Sequence, residues 1–200
     1  MRTRPSPGLL APSAKCYSAR MHRLFVAIRP PEHIRDLLID AMDDTPDFRW
    51  QDEEQLHLTL RFVGEVERPL ADDLAGALAR IQSRPFDVRV KGAGRFEQRN
   101  SGALWAGLEP KEPLAALAAK VERVCVGVGL DPERRAFHPH VTLARWKGRR
   151  TREVADFLER RRGLVSEPWP VREFILFESR LSRHGAHYEK AASYPLSGSR

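Results

Sequence analysis

Two histidines in this chain are each followed two places later by a threonine, in His57-Leu58-Thr59-Leu60 and His140-Val141-Thr142-Leu143. The chain has seven histidines and five threonines, so two of its few threonines fall into one pattern. In an extended strand, residues i and i+2 project from the same face. Each histidine therefore shares a face with its threonine, while the intervening Leu or Val packs behind. An imidazole, with its ordinary pKa of about 6.5, takes or gives a proton close to neutrality. A threonine hydroxyl can donate to a phosphoryl oxygen. An arginine follows each motif, Arg61 and Arg145, and a guanidinium can neutralise charge that grows in a transition state. If the two motifs face one another, they place a general acid and a general base on opposite sides of a phosphoryl-like group. This chemistry does not by itself name the substrate or the bond that breaks.

Other chemistries fit less well. His138 stands two places before His140, and two histidines on one face can bind zinc. A third ligand and its supporting shell are also needed, and neither a His-Glu-x-x-His helix nor a Cys-x-x-Cys pair supplies them. The expectation is therefore no metal and no cofactor. No Gly-x-x-x-x-Gly-Lys loop or Gly-x-Ser-x-Gly elbow is present, and Gly92-Ala93-Gly94 and Gly127-Val128-Gly129 lack the full dinucleotide fingerprint. His22, His33, His184 and His187 share no motif and read as surface or structural residues. Cys125 lies beside an apolar helical stripe and reads as core.

The elements that must position the motifs follow from periodicity. His22–Ile28 is a short apolar run closed by Pro30-Pro31, a buried strand. Ile34, Leu37, Leu38, Ala41 and Met42 repeat at helical spacing. Leu56–Val63 reads as a second strand, stopped by Gly64. Leu70, Leu74, Leu78 and Ile81 mark a helix with Pro69 near its start. Phe86–Val90 alternates as a half-exposed strand, and Ala103–Leu108 is another. The pattern then returns: a helical stripe of Leu114, Leu117, Val121 and Val124, a strand around Val141–Leu143, and a helix through Val154, Phe157 and Leu158. Thr151 reads as the N-cap of that last helix and Gly163 as its stop. Phe174–Phe177 and Tyr188–Tyr194 complete the set as strands. Each half thus runs strand, helix, strand, helix, strand, which predicts an α+β fold of two similar lobes. The motifs stand 83 residues apart, which suits one motif per lobe.

Composition bounds the class. The 200 residues are 42% hydrophobic and 30% charged, an ordinary globular balance, and no apolar run reaches the roughly 18 residues of a membrane span. Two cysteines exclude a disulfide scaffold. The net charge is +7, but residues 1–20 carry Arg2, Arg4, Lys15 and Arg20 and no acid, so the body is only mildly basic. That argues against a broad nucleic-acid groove and allows a local basic site. Residues 1–20 read as a disordered extension or a transit peptide, with 21–200 as a single bilobal domain.

The twin motifs, with Arg23-Leu24-Phe25-Val26-Ala27-Ile28 before the first and Ala144-Arg145 after the second, resemble the 2H phosphoesterases. Within them the likeness is to the RNA 2′,3′-cyclic phosphodiesterases, also called 2′-5′ RNA ligases. Phe62-Val63-Gly64-Glu65, Trp105 in Ala103–Leu108, and Phe177-Glu178-Ser179-Arg180-Leu181 share the likeness. The resemblance implies two pseudo-symmetric lobes, each an antiparallel-rich sheet with helices, facing across a central cleft. It implies metal-independent opening of a 2′,3′-cyclic phosphate at an RNA 3′ end to a 2′-phosphate, by a cytoplasmic monomer. His57 would be the general acid, His140 the general base, Thr59 and Thr142 the phosphoryl-oxygen ligands, and Arg145 the charge clamp. Pseudo-symmetry would let the two histidines exchange roles. Two alternatives stay open: a related phosphodiesterase acting on 2′-5′ oligonucleotides or small cyclic nucleotides, and a non-catalytic RNA-binding module using Arg61, Arg145, Arg149, Arg150 and Arg152.

Overall fold

The computed structural model describes residues 21–43, 45–182 and 185–197. The extension 1–20 and His184 lie outside them. In chain order the elements are β1 (Met21–Ile28), α1 (Glu32–Asp40), β2 (Phe48–Trp50), a 3-10 turn (Glu53–Gln55), β3 (Leu58–Glu67), α2 (Arg68–Leu78), β4 (Phe86–Gln98), β5 (Ser101–Glu109), α3 (Lys111–Gly127), β6 (His140–Lys147), α4 (Thr151–Arg160), β7 (Trp169–Val171), β8 (Glu173–Ser182) and β9 (Gly185–Pro195). Among the described residues no helix is long and apolar enough to cross a membrane.

Among the described residues nine strands form one antiparallel sheet in the order β7-β4-β5-β6-β3-β1-β8-β9, with β2 added beside β6. Its centre is thin. β3 and β6 are joined through a single residue pair, Leu58 opposite Val141. The sheet is therefore two half-sheets hinged at that pair, which are the two expected lobes of the α+β fold. Leu58 and Val141 are fully buried, and each buried side chain of this size contributes about 1.5–3 kcal/mol.

The predicted order of elements in each half holds, but the third strand of each repeat is exchanged. After β1-α1-β3-α2, the chain crosses and lays β4 beside β5. After β5-α3-β6-α4 and the short β7, it returns and lays β8 beside β1. Alternation divides the side chains between two faces. Leu24, Val26 and Ile28 of β1, Leu104, Ala106 and Leu108 of β5, and Phe174 and Leu176 of β8 join one large core with the helices. Phe25, Ala27, Ile175 and Phe177 form a small cluster on the opposite face.

Three local expectations are corrected. Gly64 does not stop β3. It sits at φ +87°, a conformation open to glycine, beside a β-bulge, and the strand continues to Glu67. Thr151 is the first residue of α4 rather than its cap. Arg150 takes the N-cap position without a side-chain capping bond, and α4 ends at Arg160, before Gly163. His57 immediately precedes β3 instead of lying within it.

Candidate active site

The pair Leu58–Val141 fixes the geometry of the motifs. In an antiparallel register it sets His57 level with Thr142 on one side and Thr59 level with His140 on the other. All four side chains leave the sheet on the face opposite buried Leu58 and Val141. Each histidine thus stands beside the other motif's threonine. A cleft of ≈ 1270 Å³ reaches this face at Thr59, His140 and Arg145 and extends round past Arg61 to Glu122 of α3. His57 and Thr142 are one register step further along and do not line it.

Both imidazoles are held by the same device. His57 Nδ1 lies 2.7 Å from the carbonyl of Gln55, and His140 Nδ1 lies 2.6 Å from the carbonyl of His138. A carbonyl only accepts, so in both rings Nδ1 carries the hydrogen and donates it. The neutral ring then presents Nε2 as the nitrogen that exchanges a proton. The 3-10 turn before His57 aims the Gln55 carbonyl. Its first residue is preceded by Asp52, which forms a reciprocal capping box with Gln55. The Gln55 side chain donates across to the carbonyl of Ala186 in β9.

Each ring is also boxed by aromatics. His57 lies 4.8 Å from Phe25, 5.3 Å from Tyr188 and 6.5 Å from Phe177 between ring centroids. His140 lies 4.8 Å from Phe96 and 6.2 Å from Trp105. Burial pushes the His57 pKa down to about 4. The Gln55 carbonyl opposes that shift, while His140, Arg145 and Arg29 reinforce it through positive charge. The His140 pKa is lowered too, first by burial and then by His138 and Arg145, against the His138 carbonyl. Without an anion in the site, both imidazoles are neutral at pH 7.

The two arginines behind the motifs have different fates, and bulges decide them. On β6, Trp105 pairs with Thr142 and Leu104 with Ala144, so Leu143 is an extra residue. Its carbonyl accepts a hydrogen bond from the Gln51 amide at 2.8 Å. The bulge shifts the alternation by one. Leu143 and Ala144 are both buried, and Arg145 emerges on the face of His140 and Thr142. On β3, Ala27 pairs with Thr59 and Val26 with Arg61, so Leu60 is the extra residue. Here the same device turns Arg61 toward the helix side with Val26. Arg61 pairs with Glu122 of α3 at 2.5 Å and with Glu133 at 3.7 Å, and donates to the carbonyls of Phe62 and Asp131. The residue three places after Thr59, matching Arg145 after Thr142, is Phe62, which is 56% exposed. The cleft thus has a cationic lip on one lobe and an aromatic lip on the other.

A model of the 2′-5′ RNA ligase superfamily matches residues 27–183. The chain belongs to this superfamily. An RNA 2′,3′-cyclic phosphodiesterase of Aeropyrum pernix is 36% identical over 150 residues, spanning 71% of this chain and 85% of that protein. One of Thermus thermophilus is 34% identical over 188 residues, spanning 88% and 91%. Among solved structures, Escherichia coli LigT complexed with 3′-AMP matches with a TM-score of 0.74 at 26% identity, covering 90% of this chain and 100% of that one. The fold and the likeness to 2H phosphoesterases read from the sequence therefore stand.

For this member of the 2′-5′ RNA ligase superfamily, sequence reasoning missed the aromatic boxes. Phe25 and Phe177 lie in the segments Arg23–Ile28 and Phe177–Leu181, and their alternation with Leu24 and Leu176 is the signal that they face the site. Tyr188 and Phe96 carried no such signal. The carbonyls of Gln55 and His138 were also missed, although both stand two residues before their histidine. His138 reaches the site through that carbonyl, and its ring lies 6.1 Å from that of His140. Among the described residues no group of three His, Cys, Asp or Glu converges as a metal site.

Proposed function

We propose that this protein hydrolyses 2′,3′-cyclic phosphate at RNA 3′ ends to a 2′-phosphate, without a metal, by proton transfer between two imidazoles. The observation that carries this reading is the paired anchoring of His57 and His140. Each is held by a carbonyl at Nδ1, is close to the other, and has Nε2 free for a proton. His140 Nε2 takes a proton from water as the water oxygen attacks phosphorus. The P–O3′ bond breaks, and His57 Nε2–H gives its proton to the departing O3′. The product keeps the P–O2′ bond. Thr59 and Thr142 donate to the non-bridging oxygens, and Arg145 neutralises charge on them.

The neutral resting state of both rings shapes the cycle. The acid must gain its proton as the anion arrives, since a phosphate charge beside Arg145 offsets the positive field that depresses His57. With an RNA 5′-hydroxyl in place of water, the same displacement of O3′ would form a P–O5′ bond and leave a 2′-5′ linkage, and no nucleotide triphosphate is required. Phe62 and Phe96, 56% and 40% exposed, line the same cleft and offer faces on which bases can stack.

The test is hydrolysis of a short RNA ending in a 2′,3′-cyclic phosphate, with EDTA present and the phosphate position in the product determined. Wild type should yield the 2′-phosphate. His57→Ala and His140→Ala should each lower turnover about 10²–10⁴-fold. Equal rates in a folded variant remove that residue from the mechanism, and loss on chelation restored by zinc overturns the metal-free reading.

A further inference from the structure

Four of the arginines that line the cleft are already neutralised. Arg61 pairs with Glu122, Arg95 with Glu97 at 3.0 Å, Arg135 with Glu133 at 3.6 Å, and Arg150 with Asp47 at 3.0 Å. Three further cations in the same lining, Arg49, Arg145 and Lys147, have no carboxylate partner among the described residues. They are neighbours in the sheet. β2 places Arg49 directly opposite Arg145, and Lys147 follows two residues along β6 on the same exposed face.

This arrangement costs stability where it stands, because like charges directly opposite in a sheet repel. It is nonetheless rigidly built. β2 is only three residues long. Phe48 packs on Trp146 and Trp50 on Phe157, at 5.8 and 5.6 Å between centroids. Phe48 is thus buried in the core and Trp50 packs against it, and alternation directs Arg49 outward. A strand anchored by buried Phe48 and half-buried Trp50 delivers its one cation to a fixed place beside Arg145.

We infer that Arg49 and Lys147 form a second phosphate subsite, which holds the 5′ phosphate of the terminal nucleotide while Arg145 serves its cyclic phosphate. This rests on the function proposed above. An RNA that ends in a 2′,3′-cyclic phosphate continues only in the 5′ direction, so the next phosphate is that nucleotide's own 5′ one. Residues two apart on a strand lie about 6.6 Å apart, on the scale of one step between consecutive phosphates of a single strand. The cationic ladder therefore runs away from His140 along the path such a strand would take. It makes the enzyme a reader of chain ends over cyclic mononucleotides.

The test compares adenosine 2′,3′-cyclic phosphate with the same nucleotide carrying a 5′-phosphate. Wild type should prefer the 5′-phosphorylated form by about tenfold in kcat/KM, the scale of one charge-assisted contact. In Arg49→Gln/Lys147→Gln the ratio should fall to near one. The salt dependence of kcat/KM on the 5′-phosphorylated form should become shallower by about one in log–log slope per lost contact. Equal use of both substrates by wild type, or an undiminished preference in the variant, overturns the subsite and leaves the proposed function standing. If wild type turns over neither mononucleotide, the short cyclic-phosphate RNA decides the proposed function by itself, and binding of a trinucleotide bearing a 3′-phosphate decides the subsite. A shallower salt slope in the variant supports it, and identical slopes overturn it.

Discussion

Acidifying the free protein from pH 7 to 4 should destabilise it through His57, by an amount that follows from its burial. The imidazole is pushed down to about 4 from an ordinary 6.5, a difference of about 2.5 units, and each unit is 1.36 kcal/mol. Charging His57 in the folded state therefore costs about 3 kcal/mol. Between pH 6.5 and 4 the unfolded chain holds a proton on this residue that the folded chain lacks. The unfolding free energy falls as pH falls through that window and is untouched by His57 above it. His57→Gln keeps a polar side chain and removes the titration. Urea midpoints of wild type and variant, measured from pH 7 to 4, should diverge by about 3 kcal/mol at the acid end. The Hε1 resonance of His57 should titrate near 4 in the free protein and move up with a nucleoside 2′-monophosphate bound. A midpoint at or above 6.5 without ligand, or parallel pH dependence in both proteins, refutes the account of the aromatic box.

Because both histidines are depressed, the bell-shaped profile of kcat/KM, which reports the free enzyme, should peak below pH 6.5. A peak at pH 7.5 or above contradicts the site's electrostatics. Arg145→Gln should lower kcat/KM about 10²-fold, as loss of a charge-stabilising donor does, with little change in urea midpoint. Arg61→Gln should show the opposite emphasis. It leaves Glu122 without its cation in a pair whose arginine side chain is 10% exposed, and should cost about 3 kcal/mol. In Gly94→Ala the new Cβ would lie 2.2 Å from the Trp105 ring, so the indole must move. About 1–3 kcal/mol of overpacking and a shifted tryptophan emission are expected, and unchanged emission and stability argue against this contact.

Much of the site was legible because its logic is local. The His-x-Thr spacing carries its meaning within one strand, where i and i+2 share a face. The rest depends on pairing between strands distant in sequence. Arg61 and Arg145 stand two and three places after their threonines, and only the bulges at Leu60 and Leu143, which strand pairing reveals, turn that offset into opposite faces, with Arg145 on the side of the histidines and Arg61 on the side of the helices. Gly64 looked like a stop because glycine weakens strands, and at φ +87° beside a bulge it lets the strand continue. β2 and β7, three residues each, are too short for any period to register. The exchange of β4 and β8 leaves no trace in local sequence, since each strand reads the same wherever it lands.

That exchange has a kinetic consequence. β1 must find β8, with Leu24 pairing across to Glu178, before either end of the chain has a complete sheet. Contacts of such sequence separation slow folding, because the loop must close before they reward it. Neither repeat holds all the strands of its own lobe, so neither can serve as an independent folding nucleus, and unfolding should proceed in one cooperative transition. A chain cut in the turn between β4 and β5, which separates the two repeats, should yield two fragments that are each unstructured alone and regain the sheet on mixing. Assembly of the cleft and completion of folding are then one event, and a molecule with a complete cleft has no partly folded precursor that already carries it.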